Sequence, residues 1–199
     1  MTGRSPPWPN GARSAVAFSF DVDADSVVHA SQRAKAPGAI AALAHMRYDP
    51  HVGLPRLVDL FKGYGVPITC FVPGWVADTY RPSVEHILGG ANEIAHHGHF
   101  HEWPSGQSRE AEREALMMGI ERIVSITGRR PAGYRAPYYG LSENSFDLLI
   151  EAGFAYDSSL FADDVPILLE SKAGRLVELP PPASVDDYSQ YVSARAFDY

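Results

Sequence analysis

The apolar positions of this chain fall into short blocks that switch between the two periods of regular structure. Residues 15–20 (AVAFSF) form a run long enough for a strand and too short for a buried helix, and Asp21 ends it. Residues 54–64 carry Leu54, Leu57, Val58, Leu60 and Phe61 at helical spacing, with Gly63 and Gly65 as stop signals. Residues 68–72 (ITCFV) are β-branched and aromatic and predict a strand. A helix around residues 83–88 stops at Gly89 and Gly90, and residues 93–95 predict a short strand that leads into a group of histidines. The clearest helix covers residues 109–127. Leu116, Ile120, Ile123, Val124 and Thr127 share one face, Ser108 is placed to cap the start, and Glu110, Glu112 and Glu114 suit the positive end of the helix dipole. Gly128 and Pro131 close it. A strand near residues 133–135, a helix at 144–151, a strand at 154–157 and a last strand at 176–179 complete the pattern. Residues 26–51 are Ala-rich without a clear period and predict a long loop with one short helix, of the kind that often borders a site.

Repeated β–α units with short links predict an α/β fold: a mainly parallel sheet with helices outside. No internal repeat or linker breaks the pattern, so residues 14–199 are expected to form one domain after a flexible segment at 1–13. The net charge of −7 and the lack of a basic run argue against nucleic acid or an anionic membrane as the main partner. No apolar stretch is long enough to span a bilayer. The N-terminus has no apolar core of a secretory signal, and Cys70 is the single cysteine, so a cytoplasmic location is expected. Cys70 lies inside an apolar strand and reads as a small buried hydrophobe rather than a nucleophile.

Asp21, Asp23, His97, His101 and Arg135 all fall at or just past predicted strand C-termini, the face where α/β barrels build active sites. Asp21 and Asp23 are two apart on an extended segment and point to the same side, where two carboxylates repel unless a cation or proton lies between them. Read alone, the pair is better explained as a solvated turn. The string AHHGHFHEWP changes that balance. His97 and His101 are four apart, a spacing that sets both imidazoles on one face of a helical turn. Two imidazoles and one carboxylate on a divalent ion leave open positions for water and substrate. His96 and His99 are expected to face elsewhere, with His99 a candidate to brace a ligand from behind. In residues 133–140 (GYRAPYYG), Pro137 keeps Ala136 out of helical angles and holds Arg135 and the Tyr138 N–H in a fixed, extended loop. A fixed N–H can stabilise an oxyanion and a guanidinium can pair with a buried carboxylate, although the motif alone also fits a surface turn. No phosphate-binding loop or G-x-S-x-G elbow occurs, so Ser158 and Ser159 are poor nucleophile candidates.

Taken in order, FSFDVDAD, HHGHFHEWP and GYRAPYYG resemble three motifs of the polysaccharide deacetylase superfamily, the NodB-homology domain of carbohydrate esterase family 4. The stretch VGLPRLVDLFKGYGVPITCFVPGW is similar to the branch with peptidoglycan deacetylases and allantoinase-like amidohydrolases, and the resemblance covers residues 16–187. It implies a distorted (β/α) barrel and a metal-dependent hydrolase of a non-peptide amide bond. In that reading Asp21 is the catalytic base, Asp23, His97 and His101 hold the metal, Arg135 orients the base, and the Tyr138 N–H helps hold the oxyanion. Pro137 and Tyr139 are expected to contact substrate. The implied cofactor is one divalent ion, zinc first, with cobalt, manganese or nickel as alternatives. The implied substrate is an N-acetylated sugar, with ring-opening of a small cyclic amide as the alternative. The resemblance also implies a general-acid histidine near the C-terminus, yet no histidine follows His101. The barrel is therefore expected to be incomplete at its C-terminal end. An inactive metal- or carbohydrate-binding relative is a further alternative, and the open strand edges leave room for a homo-oligomer.

Overall fold

A computed structural model describes residues 8–193; residues 1–7 of the segment expected to be flexible, and residues 194–199, lie outside the described residues. Among the described residues seven strands make one sheet: β1 (Ser19–Asp21), β2 (Thr69–Val72), β3 (Glu93–His96), β4 (Gly133–Tyr134), β5 (Tyr156–Asp157), β6 (Ile167–Ser171) and β7 (Gly174–Glu178). Their order is β1-β2-β3-β4-β5-β7-β6. All neighbours run parallel except β6, which lies antiparallel to β7 in a hairpin. The expected α/β class with a parallel sheet therefore holds. Among the described residues, β1 and β6 form the two edges and do not pair with each other.

Seven α-helices among the described residues accompany the sheet: α1 (Ser26–Gln32), α2 (Ile40–Tyr48), α3 (Leu54–Gly63), α4 (Gly74–Thr79), α5 (Arg81–Ile87), α6 (Arg109–Thr127) and α7 (Ser145–Ala152). One apolar cluster packs β1–β3 against α3, α4 and α5 around Val22, Val58, Val72, Val76 and Ile87. A second packs β4 and β7 against α6 and α7 around Leu116, Ile120, Tyr134, Leu148 and Leu176. Helix α6 has the expected bounds and caps: Ser108 Oγ accepts from the Ala111 N–H, and Gly128 closes it in the left-handed region at φ 69°. Leu116, Ile120 and Ile123 are buried, whereas Val124 and Thr127 lie at the margin of that face. Cys70 is fully buried, and burial pushes its thiol up to about 12.

The structure corrects several expectations. The first strand is Ser19–Asp21 rather than 15–20, because the parallel register with β2 runs over these three residues; Val16 is exposed. Residues 26–51 are not a long loop. They form α1, a 3-10 segment (Arg33–Gly38), α2 and the start of a π turn (Asp49–Gly53). Ala-rich composition favours helix without an amphipathic period, and the buried apolar residues Val28, Ala36 and Leu43 form a small satellite cluster. Helix α4 opens with Pro73-Gly74, which reads locally as a turn. Strand β6 alternates half-buried and exposed residues and is held by its hairpin with β7.

The contact between α4 and α6 relies on two glycines. A Cβ on Gly74 would lie 2.6 Å from the Gly119 Cα, and a Cβ on Gly119 would overlap His96 Nε2 and sit 2.8 Å from the Gly98 carbonyl oxygen. Gly119→Ala is therefore expected to destabilise the fold by about 1–3 kcal/mol in urea unfolding, despite alanine's better helix propensity.

Candidate active site

The C-terminal ends of β1, β3, β4 and β5 carry the polar residues singled out in the sequence. Val22 is buried in the core and its N–H extends the β1–β2 ladder to the Phe71 carbonyl at 2.9 Å. Asp21 and Asp23 therefore point together, away from that core, as the strand alternation requires. Beyond them the chain turns through Ala24 at φ 47°, a conformation alanine rarely adopts. Ser26 holds the turn by donating from its N–H and its Oγ to the Asp23 carbonyl, at 3.1 and 2.6 Å. Asp25, fully buried, anchors it below: Tyr80 Oη and Arg47 Nε each donate to its carboxylate at 2.7 Å, and His29 lies 3.3 Å away.

His97 and His101 lie in a loop, not on a helical turn. Gly98 at φ 73° and His101 at φ 55° fold the segment back so that the two rings meet at 5.1 Å. The four-residue spacing was informative, but left-handed backbone produces the convergence. His97 Nδ1 donates to the Arg135 carbonyl at 2.8 Å, which leaves Nε2 with a lone pair in the neutral ring. That Nε2 is 3.3 Å from Asp23 Oδ1 and 3.9 Å from Asp21 Oδ2, and His101 Nε2 is 3.3 Å from Asp23 Oδ2. One ligand atom from each of Asp23, His97 and His101 falls within 4.8 Å of the others.

The electrostatics point the same way. Burial works against the charged Asp23 carboxylate, but the His101 charge and the two imidazoles outweigh it and hold its pKa well below the usual range. Burial also opposes a charged His97, yet Asp21 and Asp23 outweigh it and raise its pKa. Asp23 Oδ1 is buried without an aligned hydrogen-bond partner among the described residues. Lone pairs facing one another at these distances call for a cation, and the donor set of two imidazoles and one carboxylate fits a divalent metal.

Arg135 occupies the other side. Its guanidinium is buried, with Nη1 donating to Asp21 Oδ1 at 2.8 Å, Nε to the Ser158 carbonyl at 2.9 Å, and Nη2 to Ser19 Oγ and Ser158 Oγ at 3.0 and 2.9 Å. Its plane lies 4.0 Å over the Phe71 ring. Ala136 is extended, as expected before Pro137, but Tyr138 and Tyr139 both take φ 56°, so the loop turns sharply instead of staying extended. Tyr138 is 45% exposed, and its ring lies 4.4 Å from that of His101 and 5.4 Å from that of Trp103. Pro137 is buried against Gly98, and Tyr139 is half-buried, with its ring 4.5 Å from Phe161.

The support around these residues was only partly anticipated. His96, rather than His99, braces the histidine loop: its Nε2 donates to the Leu116 carbonyl at 3.0 Å and its Nδ1 accepts the Gly98 N–H at 3.1 Å. His99 turns toward α4, close to Gly74. Asp49 was missed, since it lay in the segment read as loop. Burial, and then the charge of Asp23, push its carboxyl up to about 6. Ser158 and Ser159 serve Arg135 and Ala136 and are not nucleophiles in this arrangement.

The sequence profile described as polysaccharide deacetylase matches residues 48–156, more than half of the chain. The chain belongs to the polysaccharide deacetylase family. A peptidoglycan deacetylase from Helicobacter pylori is 38% identical over 113 residues, which cover 57% of this chain and 39% of that protein. The peptidoglycan deacetylase-like protein FGM2 from Gibberella zeae is 31% identical over 144 residues, covering 71% of this chain and 40% of its own. The matches thus span about 40% of the length of these relatives. A crystal structure assigned to the polysaccharide deacetylases, from Mycobacterium smegmatis, superposes with a TM-score of 0.88 at 39% identity over 92% of this chain and 64% of that one. The polysaccharide deacetylase fold therefore extends well beyond the matched profile, and the converging carboxylates and imidazoles sit at one end of its sheet.

His96 makes folding stability sensitive to pH. Burial lowers its pKa to about 3, and a proton on Nδ1 would meet the Gly98 N–H. The unfolded chain binds that proton near pH 6.5 while the folded chain does not, so folding stability is complete above about 6.5 and falls as pH drops toward 3. Equilibrium unfolding across that window should show a contribution approaching about 1.4 kcal/mol per pH unit, which disappears in His96→Gln.

Proposed function

We propose that this chain hydrolyses the amide of an N-acetylated sugar, releasing an amine and a carboxylic acid. The observation that carries the reading is the convergence of Asp23, His97 and His101 beside a second carboxylate, Asp21, that a buried arginine holds in place. The names of the two curated relatives favour a sugar polymer over a small cyclic amide as substrate.

Asp23, His97 and His101 would hold the divalent ion, zinc by the chemistry of the donor set, with cobalt, manganese or nickel as alternatives. Such an ion supplies Lewis acidity for the carbonyl and lowers the pKa of a water. Arg135 holds Asp21 Oδ1, leaving Oδ2 on the side of His97, from where it takes the proton of the attacking water as general base. The Tyr138 N–H is assigned to the developing oxyanion. Pro137 and Tyr139 shape the wall that receives the substrate, with Tyr138 exposed at its rim.

The test uses the metal-loaded chain with N-acetylglucosamine oligomers and, in parallel, allantoin-like cyclic amides. Asp23→Ala and His97→Ala are expected to lose bound zinc by elemental analysis. Asp21→Asn should keep the metal and lose about 10²–10⁴-fold in kcat. Turnover of cyclic amides alone would replace the sugar reading, and metal binding without turnover of either class would overturn the hydrolase reading. Metal content indifferent to Asp23, His97 and His101 would remove the site itself.

A further inference from the structure

Asp157 and Glu178 are paired positions on neighbouring parallel strands, β5 and β7, so their side chains leave the sheet on the same face. Both are fully buried. Among the described residues neither forms an ion pair with a cationic side chain. Two buried carboxylates without a cation are not tenable side by side. Their hydrogen bonds show how the conflict is resolved. Asp157 Oδ1 accepts from Ser159 Oγ at 2.7 Å, and Glu178 Oε1 accepts from the Leu160 N–H at 3.0 Å. The remaining oxygens, Asp157 Oδ2 and Glu178 Oε2, are buried without a hydrogen-bond partner among the described residues. A single proton between the two carboxyls satisfies both.

We propose that Asp157 and Glu178 form a one-proton carboxyl–carboxylate pair that acts as a positioning device for the Arg135–Tyr138 segment, through Ser159. The route is short. Ser159 Oγ donates to Asp157 and accepts the Ala136 N–H at 2.9 Å, and Ala136 stands between Arg135 and the Pro137–Tyr139 turn. Leu160, held by Glu178, fixes the far end of the segment from Ser158 to Leu160. Ser158, between Asp157 and Ser159, takes two bonds from Arg135 and donates from Oγ to the Leu179 carbonyl at 2.8 Å. Leu179 in turn donates from its N–H to the Asp157 carbonyl at 2.8 Å. The pair therefore sets the turn after β5, and that turn sets the guanidinium that holds Asp21. Burial, and then the hydrogen bond and charge of Glu178, hold the Asp157 carboxyl well above the usual carboxylate range, consistent with Asp157 carrying the proton.

The pair makes an unusual demand of its amide variants. In Asp157→Asn the new NH₂ donates to the Glu178 carboxylate while the amide oxygen still accepts from Ser159. In Glu178→Gln the roles reverse, and the Leu160 N–H keeps its acceptor. In the double variant two NH₂ groups face each other, and turning either one breaks a bond to Ser159 or Leu160. Each single variant should stay within about twofold of the parent in its unfolding equilibrium constant. The double variant should lose about tenfold or more beyond the product of the singles. Multiplicative effects without that excess would overturn the pair.

Ser159→Ala tests the connection to the site. It should remove hydrogen-exchange protection at the Ala136 amide and lower kcat by about tenfold with KM nearly unchanged. Protection of Ala136 should also fall in the double variant and persist in each single one. Unchanged Ala136 protection and unchanged kcat in Ser159→Ala would overturn the positioning role. The kinetic arm alone rests on the proposed amide hydrolysis. If the parent chain shows no turnover, that reading fails, while exchange and unfolding still decide the role of the pair.

Discussion

A single buried guanidinium sets the geometry of the site. Arg135 leaves the end of β4 and reaches Asp21 and Ser19 on β1, crossing the ends of β2 and β3, while two further bonds tie it to Ser158 just past β5. A flat sheet would keep β1 and β4 well apart; a guanidinium that touches both requires the sheet to curl. Burying this charge is costly, and the cost is met by a carboxylate, three neutral acceptors and the face of Phe71. Removing the Asp21 carboxylate would leave the guanidinium uncompensated, a loss of about 3–5 kcal/mol. Lysine could not replace it, since one ammonium cannot reach the acceptors on β1 and those just past β5 in this fork geometry.

The same residue registers the second half of the site. Its carbonyl accepts the His97 Nδ1–H, which fixes the ring's tautomer and turns Nε2 toward Asp23. Arg135 therefore holds Asp21 with its side chain and a candidate ligand with its backbone. A shift of this one residue would displace both carboxylate and imidazole together, which keeps their relative geometry intact. Such double use explains why a short strand of two residues, β4, suffices to place the centre of the site.

Much of this arrangement was legible in the sequence because it obeys local rules. The period of two along FDVD put Asp21 and Asp23 on one side, and the Leu116, Ile120 and Ile123 face with its Ser108 and Gly128 caps defined α6 to the residue. What was illegible depended on tertiary context. The turn from His97 to His101 is built from left-handed backbone at Gly98 and His101, which spacing alone assigns to a helix. The helices over residues 26–48 bury few side chains, so no apolar stripe announced them. Asp157 and Glu178 lie at unremarkable strand positions 21 residues apart, and only the β5–β7 register makes them neighbours. His96 and His99 could not be told apart by sequence, because α6 decides which of them is enclosed.

The backbone around the site is strained as a group, and this gives the buried polar residues their purpose. Ala24, His101, Tyr138 and Tyr139 all hold positive φ values, a conformation that costs non-glycine residues about 1–3 kcal/mol each. Each strained point has a buried polar anchor beside it: Asp25 below Ala24, His96 at the start of the loop to His101, and Ser159 against Ala136 just before Tyr138. Apolar packing is non-directional and cannot impose such angles, whereas hydrogen bonds to fixed acceptors can. The strand ends therefore carry a polar layer over an apolar core, and the layer trades stability for geometry. Its anchors are effective only while their protonation states hold, with His96 neutral and Asp157 protonated, so the precision of the site and the pH range over which the fold is stable share one origin.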